Sequence, residues 1–405
     1  MFGRKRNMEN ERKKLFWAKI GVCLFFAVLL GFPVVSGLLP DTAISKSERR
    51  KLTQMPEFSM KAFMDGTYTE QLEEYRKDQF PGRDTLRTVK AETDIAIFGK
   101  SDSDGYYKVG DAIYQRKEEL QEKNVRWAAE HFAEIAEKYF QDADVYYAVI
   151  PDKEEYLAVA EDGEKQEFGQ EQKEKKSEMP AEGAEFVPRE SEQAKDWMAE
   201  SMPNATCISI WDTLSLQDYY RTDIHWRQEG ITDTAELLVA GMNEGTGTAQ
   251  SDKEIKIATE DFLGGNACAS AFSVAPEALG YVTSVVIENA KVYDYEKKAQ
   301  VSVYSREKLE EGTDPYDFYL WGARALLTIE NPNAPEDAGK LILFRDSFGS
   351  SIAPLLMDSY AQITLVDLRY VTMEYAAELL GELDYDDVLF LYSTTMLNNS
   401  GSLRF

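Results

Sequence analysis

Apolar strand patterns alternate with helical patterns over residues 325–392, and this alternation narrows the choice of fold class. The strand patterns are apolar along their whole length, so both faces of each strand are expected to be covered. Strands of that kind belong to parallel sheets whose connections carry helices. We predict an α/β fold with a mostly parallel sheet and helices on both faces. The predicted strands are 325–329, 340–346, 362–367 and 387–392, and the predicted helices are 352–357 and 373–383.

The same order of elements begins earlier in the chain. Residues 118–140 carry apolar side chains at helical spacing, and residues 144–151 follow as a buried strand pattern that ends at a proline. Two stretches then interrupt the α/β pattern. Residues 161–190 are rich in Glu, Lys and Gln and predict a flexible acidic insertion. Residues 246–310 contain alternating strand patterns and predict a β-rich insertion.

The N-terminal region predicts a membrane anchor. Residues 1–19 hold seven Lys or Arg and two Glu, and residues 20–39 hold no charge and one proline. A run of this length spans a bilayer as a helix, and the basic residues before it place the N-terminus in the cytoplasm. A cleaved signal peptide is the alternative, because Val35-Ser36-Gly37 resembles a small-residue cleavage site.

We favour the uncleaved, single-pass anchor with the rest of the chain outside the cell. The resulting domain organisation is a cytoplasmic basic tail at 1–19, a transmembrane anchor at 20–39, a membrane-proximal α+β region at 40–115 and an α/β domain at 116–405.

Charge and cysteine content argue against several classes of protein. The net charge of −27 is unlike that of a nucleic-acid binder, which normally carries a basic face. The chain has two histidines and three cysteines without a CxxC or Cys/His spacing, so no metal or other cofactor is expected. Cys207 and Cys268 have two interpretations: they pair outside the cell, or they stay buried as small apolar residues.

Two short motifs predict a catalytic site. Asp223 lies two residues before His225, so its carboxylate can bind one ring nitrogen and leave the other to act as a base. Ser347 stands where a strand is predicted to end and a helix to begin, where helix amides can stabilise an oxyanion. Taken alone, each motif has a simpler interpretation. These are a buried histidine paired with a carboxylate, and a helix cap at Asp346 or Ser347.

The two motifs together resemble a known family. Thr222-Asp223-Ile224-His225-Trp226 looks like the Asp-x-His-Trp signature of the DHHW-type, AlgX/AlgJ-like proteins, and Asp346-Ser347-Phe348-Gly349 is similar to their later nucleophile motif. In this family the Asp/His pair precedes the serine, as it does here, whereas in ordinary SGNH hydrolases the serine comes first. The stretches 78–83 and 365–370 are also similar. The resemblance spans about residues 45–400, apart from the acidic insertion.

The resemblance implies an SGNH-hydrolase-like α/β fold and acetyl-ester chemistry on a polysaccharide outside the cytoplasm. Carried over by position, Ser347 is the nucleophile, His225 is the base and Asp223 orients the base. The backbone amide of Gly322 is expected to donate a hydrogen bond to the oxyanion. Here the chain departs from the family, which often has a Gly-Asn pair where this chain has Gly322-Ala323-Arg324.

Two further residues have open interpretations as substrate contacts. Trp226 is expected either to stack on a sugar ring or to pack under the loop and hold His225. Arg345 is expected either to bind an anionic group or to end a strand at the surface.

We expect a membrane-anchored O-acetyltransferase that modifies a cell-surface or secreted polysaccharide through a Ser-His-Asp acetyl-enzyme. A separate membrane-bound acyltransferase is the expected source of acetyl groups. Two alternatives stay open: a carbohydrate acetyl esterase with the same triad, and a non-catalytic polysaccharide-binding scaffold of a surface assembly.

Overall fold

The computed structural model describes residues 14–26, 31, 36–45, 47–157, 189–242, 251–311, 313–335 and 337–405. The chain divides into two compact units, Met1–Thr93 and Asp94–Phe405. The predicted acidic insertion at 161–190 lies outside the described residues except for its last two positions. The predicted domain boundaries stay predictions.

The first unit is a small α+β arrangement. Residues 14–26 are helical, and strands β1 (Ile44–Ser45) and β2 (Arg50–Lys51) pair in antiparallel fashion. Helices α1 (Met60–Met64), α2 (Thr67–Asp78) and α3 (Arg83–Ala96) follow, the last of which continues past the boundary. The Arg50 guanidinium donates to both carboxylate oxygens of Asp78 and holds the pKa of that carboxyl well below its usual range. This pair joins β2 to the end of α2.

Within the described residues, no helix combines the length and the apolar character that a bilayer crossing requires. The predicted anchor at 20–39 includes residues 27–30 and 32–35, which lie outside that part of the chain. The anchor therefore stays a prediction.

The second unit is built on an eight-stranded mixed sheet. Its strands are β5 (Asp144–Ile150), β6 (Thr206–Cys207), β9 (Lys291–Asp294), β10 (Ala299–Val301), β11 (Leu326–Glu330), β12 (Gly339–Arg345), β13 (Tyr360–Val366) and β14 (Asp387–Ser393). The strand order is β10-β9-β11-β13-β12-β14-β5-β6. The five strands from β13 to β6 pair in parallel, and the three strands at the other edge pair in antiparallel fashion.

The prediction of a mostly parallel sheet is confirmed in part, because the sheet is mixed and its parallel strands are joined by three antiparallel strands at one edge. β11 occurs where a strand was predicted, but it runs antiparallel to β13. Residues 331–338, which connect β11 to β12, are too few for the crossover that a parallel connection requires. The chain therefore reverses direction between these two strands.

Helices cover both faces of the sheet, as predicted. Leu341 and Leu343 of β12 belong to one core cluster, and Ile342 and Phe344 belong to the other, because successive side chains point to opposite faces. The helices of this unit are α4 (Glu122–Tyr139), α5 (Glu190–Ser201), α6 (Thr232–Met242), α7 (Gly265–Ser270), α8 (Val285–Asn289), α9 (Arg306–Glu311), α10 (Gly349–Ile352), α11 (Met373–Leu380) and α12 (Thr394–Asn398).

The stretch predicted as a β-rich insertion is more integrated than expected. β7 (Glu254–Phe262) and β8 (Glu277–Thr283) form a separate antiparallel pair, whereas β9 and β10 extend the main sheet. β8 ends at Thr283, because the Ser284 hydroxyl accepts from the Ile287 amide and caps helix α8. A second pair, β3 (Tyr106–Val109) and β4 (Ala112–Gln115), precedes α4.

The cysteines of the second unit do not pair. Cys207 is a half-buried free thiol and Cys268 is a buried free thiol. Of the two interpretations of the sequence, the structure fits the one in which they are small side chains within the fold.

Candidate active site

Ser347 lies at the carboxyl end of β12, which is flanked on both sides by parallel strands. Asp346 fixes the turn that presents it. One carboxylate oxygen of Asp346 accepts from the Phe348 amide at 3.0 Å, and the other accepts from the Ser393 amide at 2.9 Å and the Ser393 hydroxyl at 2.7 Å. Because Asp346 is buried and fully engaged while Ser347 stays partly exposed, only the serine hydroxyl is presented outward.

Asp223 and His225 lie on a tight loop that begins and ends in an isolated strand bridge between Tyr219 and Trp226. The Tyr220 amide donates to the His225 carbonyl at 3.0 Å and closes the loop. Inside it, Asp223 Oδ1 accepts from the His225 backbone amide at 3.1 Å, and Oδ2 accepts from the Gly265 amide at 2.5 Å. The carboxylate is thereby held in one orientation.

The three predicted residues form one line of hydrogen bonds. His225 Nδ1 lies 2.5 Å from Asp223 Oδ1, and His225 Nε2 lies 2.7 Å from Ser347 Oγ. A carboxylate can only accept, so Nδ1 carries the proton and Nε2 accepts from the serine hydroxyl. The Asp223 side chain is 2% exposed and the His225 side chain is 11% exposed, so the line opens to solvent at its serine end. This arrangement can remove the serine proton as the oxygen attacks a carbonyl carbon.

Aromatic rings fix the imidazole from its faces. The Tyr316 ring stacks on the His225 ring with centroids 3.9 Å apart and planes 11° apart, and Phe348 contacts it at 4.8 Å. The Tyr316 hydroxyl bonds to Ser351 Oγ at 2.9 Å, and burial raises its pKa well above the usual value. The hydroxyl therefore stays protonated and keeps the stacked ring in place.

Trp226 packs beneath the loop and has no surface available to a sugar. Its side chain is fully buried, and its indole N–H donates to Ser351 Oγ at 2.8 Å. The interpretation as a sugar-stacking residue is therefore wrong in this conformation. The alternative, that Trp226 holds the loop carrying His225, agrees with these contacts.

Arg345 is neither exposed nor free to bind an anionic substrate, so both interpretations from sequence need correction. The side chain is fully buried and donates to the Asp367 carboxylate at 3.2 Å. It also donates to the carbonyls of Gly322 at 3.3 Å and Arg324 at 3.2 Å. Arg345 therefore ties the turn before β11 and the end of β13 to the strand that carries the nucleophile.

The backbone around Ser347 leaves one amide for an oxyanion. The Phe348 amide donates to Asp346 Oδ1, and the Gly349 amide donates to the Asp346 carbonyl. The Ser350 amide donates to the Ser347 carbonyl. The Ser347 amide donates none of the hydrogen bonds found in the described part of the chain. It is the available donor at the nucleophile.

The Gly322 amide is occupied in this structure. It donates to the Tyr319 carbonyl at 3.0 Å within a turn in which Leu320, Trp321 and Gly322 all have positive φ. An oxyanion contact would require this turn to open, so the structure gives no support to the predicted role of Gly322.

Sequence reasoning missed two residues that support the triad. Tyr316 gives no recognisable signal, because its neighbours in sequence are turn residues and the stack is a long-range contact. Lys153 carried a usable signal, since it lies three residues after the end of β5 at the edge of the sheet where Ser347 also lies. Its ammonium group is 2.6 Å from the Asp223 carbonyl.

The comparisons with known proteins support the resemblance, although the family match does not reach the two motifs. A model of the DHHW protein family matches residues 48–148. The predicted resemblance to the DHHW family is confirmed over these residues. The DHHW match ends before the loop of Asp223 and before Ser347, so the roles of these residues rest on the geometry. No curated protein matches the chain.

Solved structures with a similar fold include Bacillus cereus PatB1. PatB1 with a sulfonyl adduct is 17% identical, with a TM-score of 0.53 over 74% of this chain and 97% of that chain. A second PatB1 structure is 15% identical, with a TM-score of 0.51 over 72% and 96%. A DHHW family protein from Eubacterium siraeum is 20% identical over 69% and 87%, with a TM-score of 0.49. The PatB1 likeness shows a shared α/β fold with a large mixed sheet.

Proposed function

We propose that this protein is an extracytoplasmic O-acetyltransferase that modifies a polysaccharide through an acetyl-enzyme on Ser347. The observation that carries the proposal is the line of hydrogen bonds from Asp223 through His225 to Ser347. A serine hydroxyl bonded to a buried His/Asp pair, at the carboxyl edge of an α/β sheet, is the arrangement that acyl transfer requires.

The first half-reaction places the acetyl group on the enzyme. Ser347 Oγ attacks the acetyl carbonyl carbon while its proton moves to His225 Nε2. The tetrahedral oxyanion accepts from the Ser347 amide. The bond to the donor oxygen then breaks, and the imidazolium returns the proton to that oxygen. Asp223 stays ionised and stabilises the positive ring throughout.

The second half-reaction reverses these steps with a new nucleophile. A sugar hydroxyl gives its proton to His225 Nε2 and attacks the acetyl carbon on Ser347. Collapse of the intermediate releases the serine, which recovers the proton from the ring. Water in place of the sugar gives free acetate, so transferase and esterase share the acetyl-enzyme and differ only in the acceptor.

The acceptor and the setting come from the family resemblance. The DHHW-type, AlgX/AlgJ-like motifs support a polysaccharide acceptor, and a membrane-bound acyltransferase is the proposed acetyl source. The charge-free run at 20–39 after a basic tail supports anchorage in the cell membrane with the site outside.

The test is the fate of the acetyl group. The full-length protein in detergent would be given a chromogenic acetyl ester with a panel of oligosaccharides, and both acetylated sugar and free acetate would be measured. Acetylated sugar in excess of the reaction without enzyme supports the proposal. Free acetate alone would assign an esterase. Sugar binding without turnover, unchanged in His225→Ala, would assign the non-catalytic scaffold.

A further inference from the structure

Lys153 is a buried lysine that contacts the catalytic loop. Its side chain is 1% exposed, and it lies in a short 3₁₀ turn, Lys153–Tyr156, just after β5. The ammonium group donates to the Asp223 carbonyl at 2.6 Å, to the Tyr220 carbonyl at 3.2 Å and to the Arg221 carbonyl at 3.4 Å. An ammonium group has three N–H donors, and here each has a carbonyl from the same loop.

We propose that Lys153 is a positioning residue: its ammonium group gathers three backbone carbonyls of the Tyr220–Asp223 segment and so sets the position of the Asp223 carboxylate relative to His225. The inference rests on the proposed function, because it assigns to Lys153 a share of the same reaction.

The requirement for a cation follows from the loop geometry. Three carbonyls that converge on one point bring their negative ends together, which is unfavourable in a buried setting unless a positive group lies between them. The chain meets this requirement with a lysine, although burial of a charged side chain is costly and lowers the Lys153 pKa to about 8. A methionine would fill the space but would remove the donor that the three carbonyls share, and the Arg221 carbonyl alone would keep the Ile113 amide, which donates to it at 2.9 Å.

A carboxylate holds the same loop through its amides. Glu277 of β8 accepts from the Arg221 amide at 3.1 Å, from the Thr222 amide at 2.8 Å and from the Thr222 hydroxyl at 2.6 Å. The loop is therefore fixed by a cation on its carbonyls and an anion on its amides. Neither group touches His225 or Ser347 directly, so each acts through the loop.

The protonation state of Lys153 should then be visible in the reaction. A neutral amine has two N–H donors and directs a lone pair at a carbonyl, so the hold weakens as pH rises through the Lys153 pKa. The charged groups facing Lys153 are Glu154, Asp223 and Glu277, which favour the ammonium form, and Lys117, which opposes it. The ring of Tyr114 lies 4.9 Å from the ammonium nitrogen and favours the cation as well.

The experiment compares Lys153→Met with Lys117→Met in the full-length protein. Lys117 is the matched control, since it is a half-buried lysine near Lys153 whose partners are Asp152 and Glu154 rather than the loop. Labelling of Ser347 by a sulfonyl fluoride would be timed by intact mass, together with kcat and KM for a chromogenic acetyl ester. Lys153→Met should lower kcat and the labelling rate about 10- to 100-fold, the size of a lost hydrogen bond to a charged group, with KM within twofold. Lys117→Met should leave both within threefold.

A rescue experiment separates positioning from general packing. Lys153→Ala removes the side chain beyond Cβ, and n-propylammonium replaces the removed atoms. Propylammonium should raise the rate of Lys153→Ala at least fivefold, and n-propanol at the same concentration should not. The alkaline limb of the wild-type pH profile near pH 8 should be missing from Lys153→Ala without added amine, because that variant has no ammonium group at this position.

Two results would overturn the inference. One is a Lys153→Met variant whose labelling rate and kcat are within twofold of wild type. The other is equal rescue by propylammonium and propanol. If Lys153→Met does not fold, Glu277→Gln takes its place as the test. This variant should also lower kcat, by a smaller factor, and an unchanged kcat in Glu277→Gln would count against the inference.

Failure of the proposed function has a different signature. If the wild type is not labelled at Ser347 and turns over no ester, the proposed function is wrong. Hydrogen exchange of a peptide covering residues 219–226 then decides the inference. The exchange of this peptide should be faster in Lys153→Met than in Lys117→Met, and equal exchange in the two variants would contradict the positioning role.

Discussion

The ring of Tyr316 stacks on the ring of His225 with centroids 3.9 Å apart, although 90 residues of sequence separate them. The stack restricts rotation of the imidazole about its Cβ–Cγ bond. The hydroxyl of Tyr316 donates a hydrogen bond to Ser351, which lies on the helix that follows Ser347. Tyr316 thus contacts both the base and the helix that follows the nucleophile, and this relationship separates two substitutions that would otherwise look alike.

Tyr316→Phe keeps the ring and loses the hydroxyl, whereas Tyr316→Leu loses the stack. We expect Tyr316→Phe to keep kcat within threefold of wild type and Tyr316→Leu to lower it about tenfold, the size of one aromatic stacking interaction. Steady-state kinetics with a chromogenic acetyl ester measures both. Equal losses in the two variants would show that the hydroxyl, not the stack, positions the base.

Asp223→Asn should remove most of the activity. The amide cannot accept from the imidazole, the His225 amide and the Gly265 amide with the strength of a carboxylate, and its NH₂ group favours the wrong imidazole tautomer. A loss of about 10³- to 10⁴-fold in kcat is expected, as for equivalent substitutions in serine hydrolases. Circular dichroism checks that the variant is folded. A folded Asp223→Asn variant with kcat within tenfold of wild type would contradict the assigned role.

Gly264→Ala tests how closely the backbone packs against the catalytic aspartate. A Cβ at this position would collide with Asp223 Cβ and the Thr222 carbonyl, so the loop must move. We expect a lower melting temperature and at least a tenfold loss of kcat. Gly401→Ala is the control, since a Cβ there has no neighbour within 4 Å. A Gly264→Ala variant that matches Gly401→Ala in both measurements would show that the loop tolerates displacement.

Asp387 makes a specific contribution to the pH dependence of stability. Burial raises its pKa to about 6, and the Tyr360 hydroxyl donates to it at 2.7 Å. The folded state therefore binds the proton more tightly than the unfolded chain, and the stability from this group is lost as pH rises from roughly 4 through 6. Asp387→Asn keeps the hydrogen bond and removes the charge.

The expected outcome is a variant that is about 1 kcal/mol more stable than wild type at pH 7.5 and equal to it at pH 4. Urea unfolding at the two pH values measures the difference. Asp384→Asn, whose side chain is 75% exposed, is the control and should show no such change between the two pH values. A pH-independent effect of Asp387→Asn would show that its carboxyl is not perturbed by burial.

Local sequence pattern predicted the parallel core of the sheet well. β12, β13 and β14 are apolar at successive positions because both of their faces are covered, and this is visible without any tertiary information. The direction of β11 was missed because strand patterns do not encode direction. The short connection at 331–338 was the available clue.

The site shows the same division between local and long-range information. Asp223, His225 and Ser347 were found because each sits in a short motif next to a predicted strand end or loop. Burial decides the parts that the sequence left open: Trp226 and Arg345 are fully buried and hold the loops, although their side chains are chemically suited to bind a sugar or an anion. Tyr316 acts across the fold and no motif contains it, whereas the position of Lys153 just after a predicted strand was a signal that went unused.

The most direct test is to trap the acetyl-enzyme. The protein would be mixed with a chromogenic acetyl ester, quenched in acid within the first turnover, digested and mapped by mass spectrometry. We predict one acetyl group on the peptide that contains Ser347, none in Ser347→Ala, and formation slowed at least 100-fold in His225→Ala. An acetyl group on another residue, or the same labelling in Ser347→Ala as in wild type, would contradict the account.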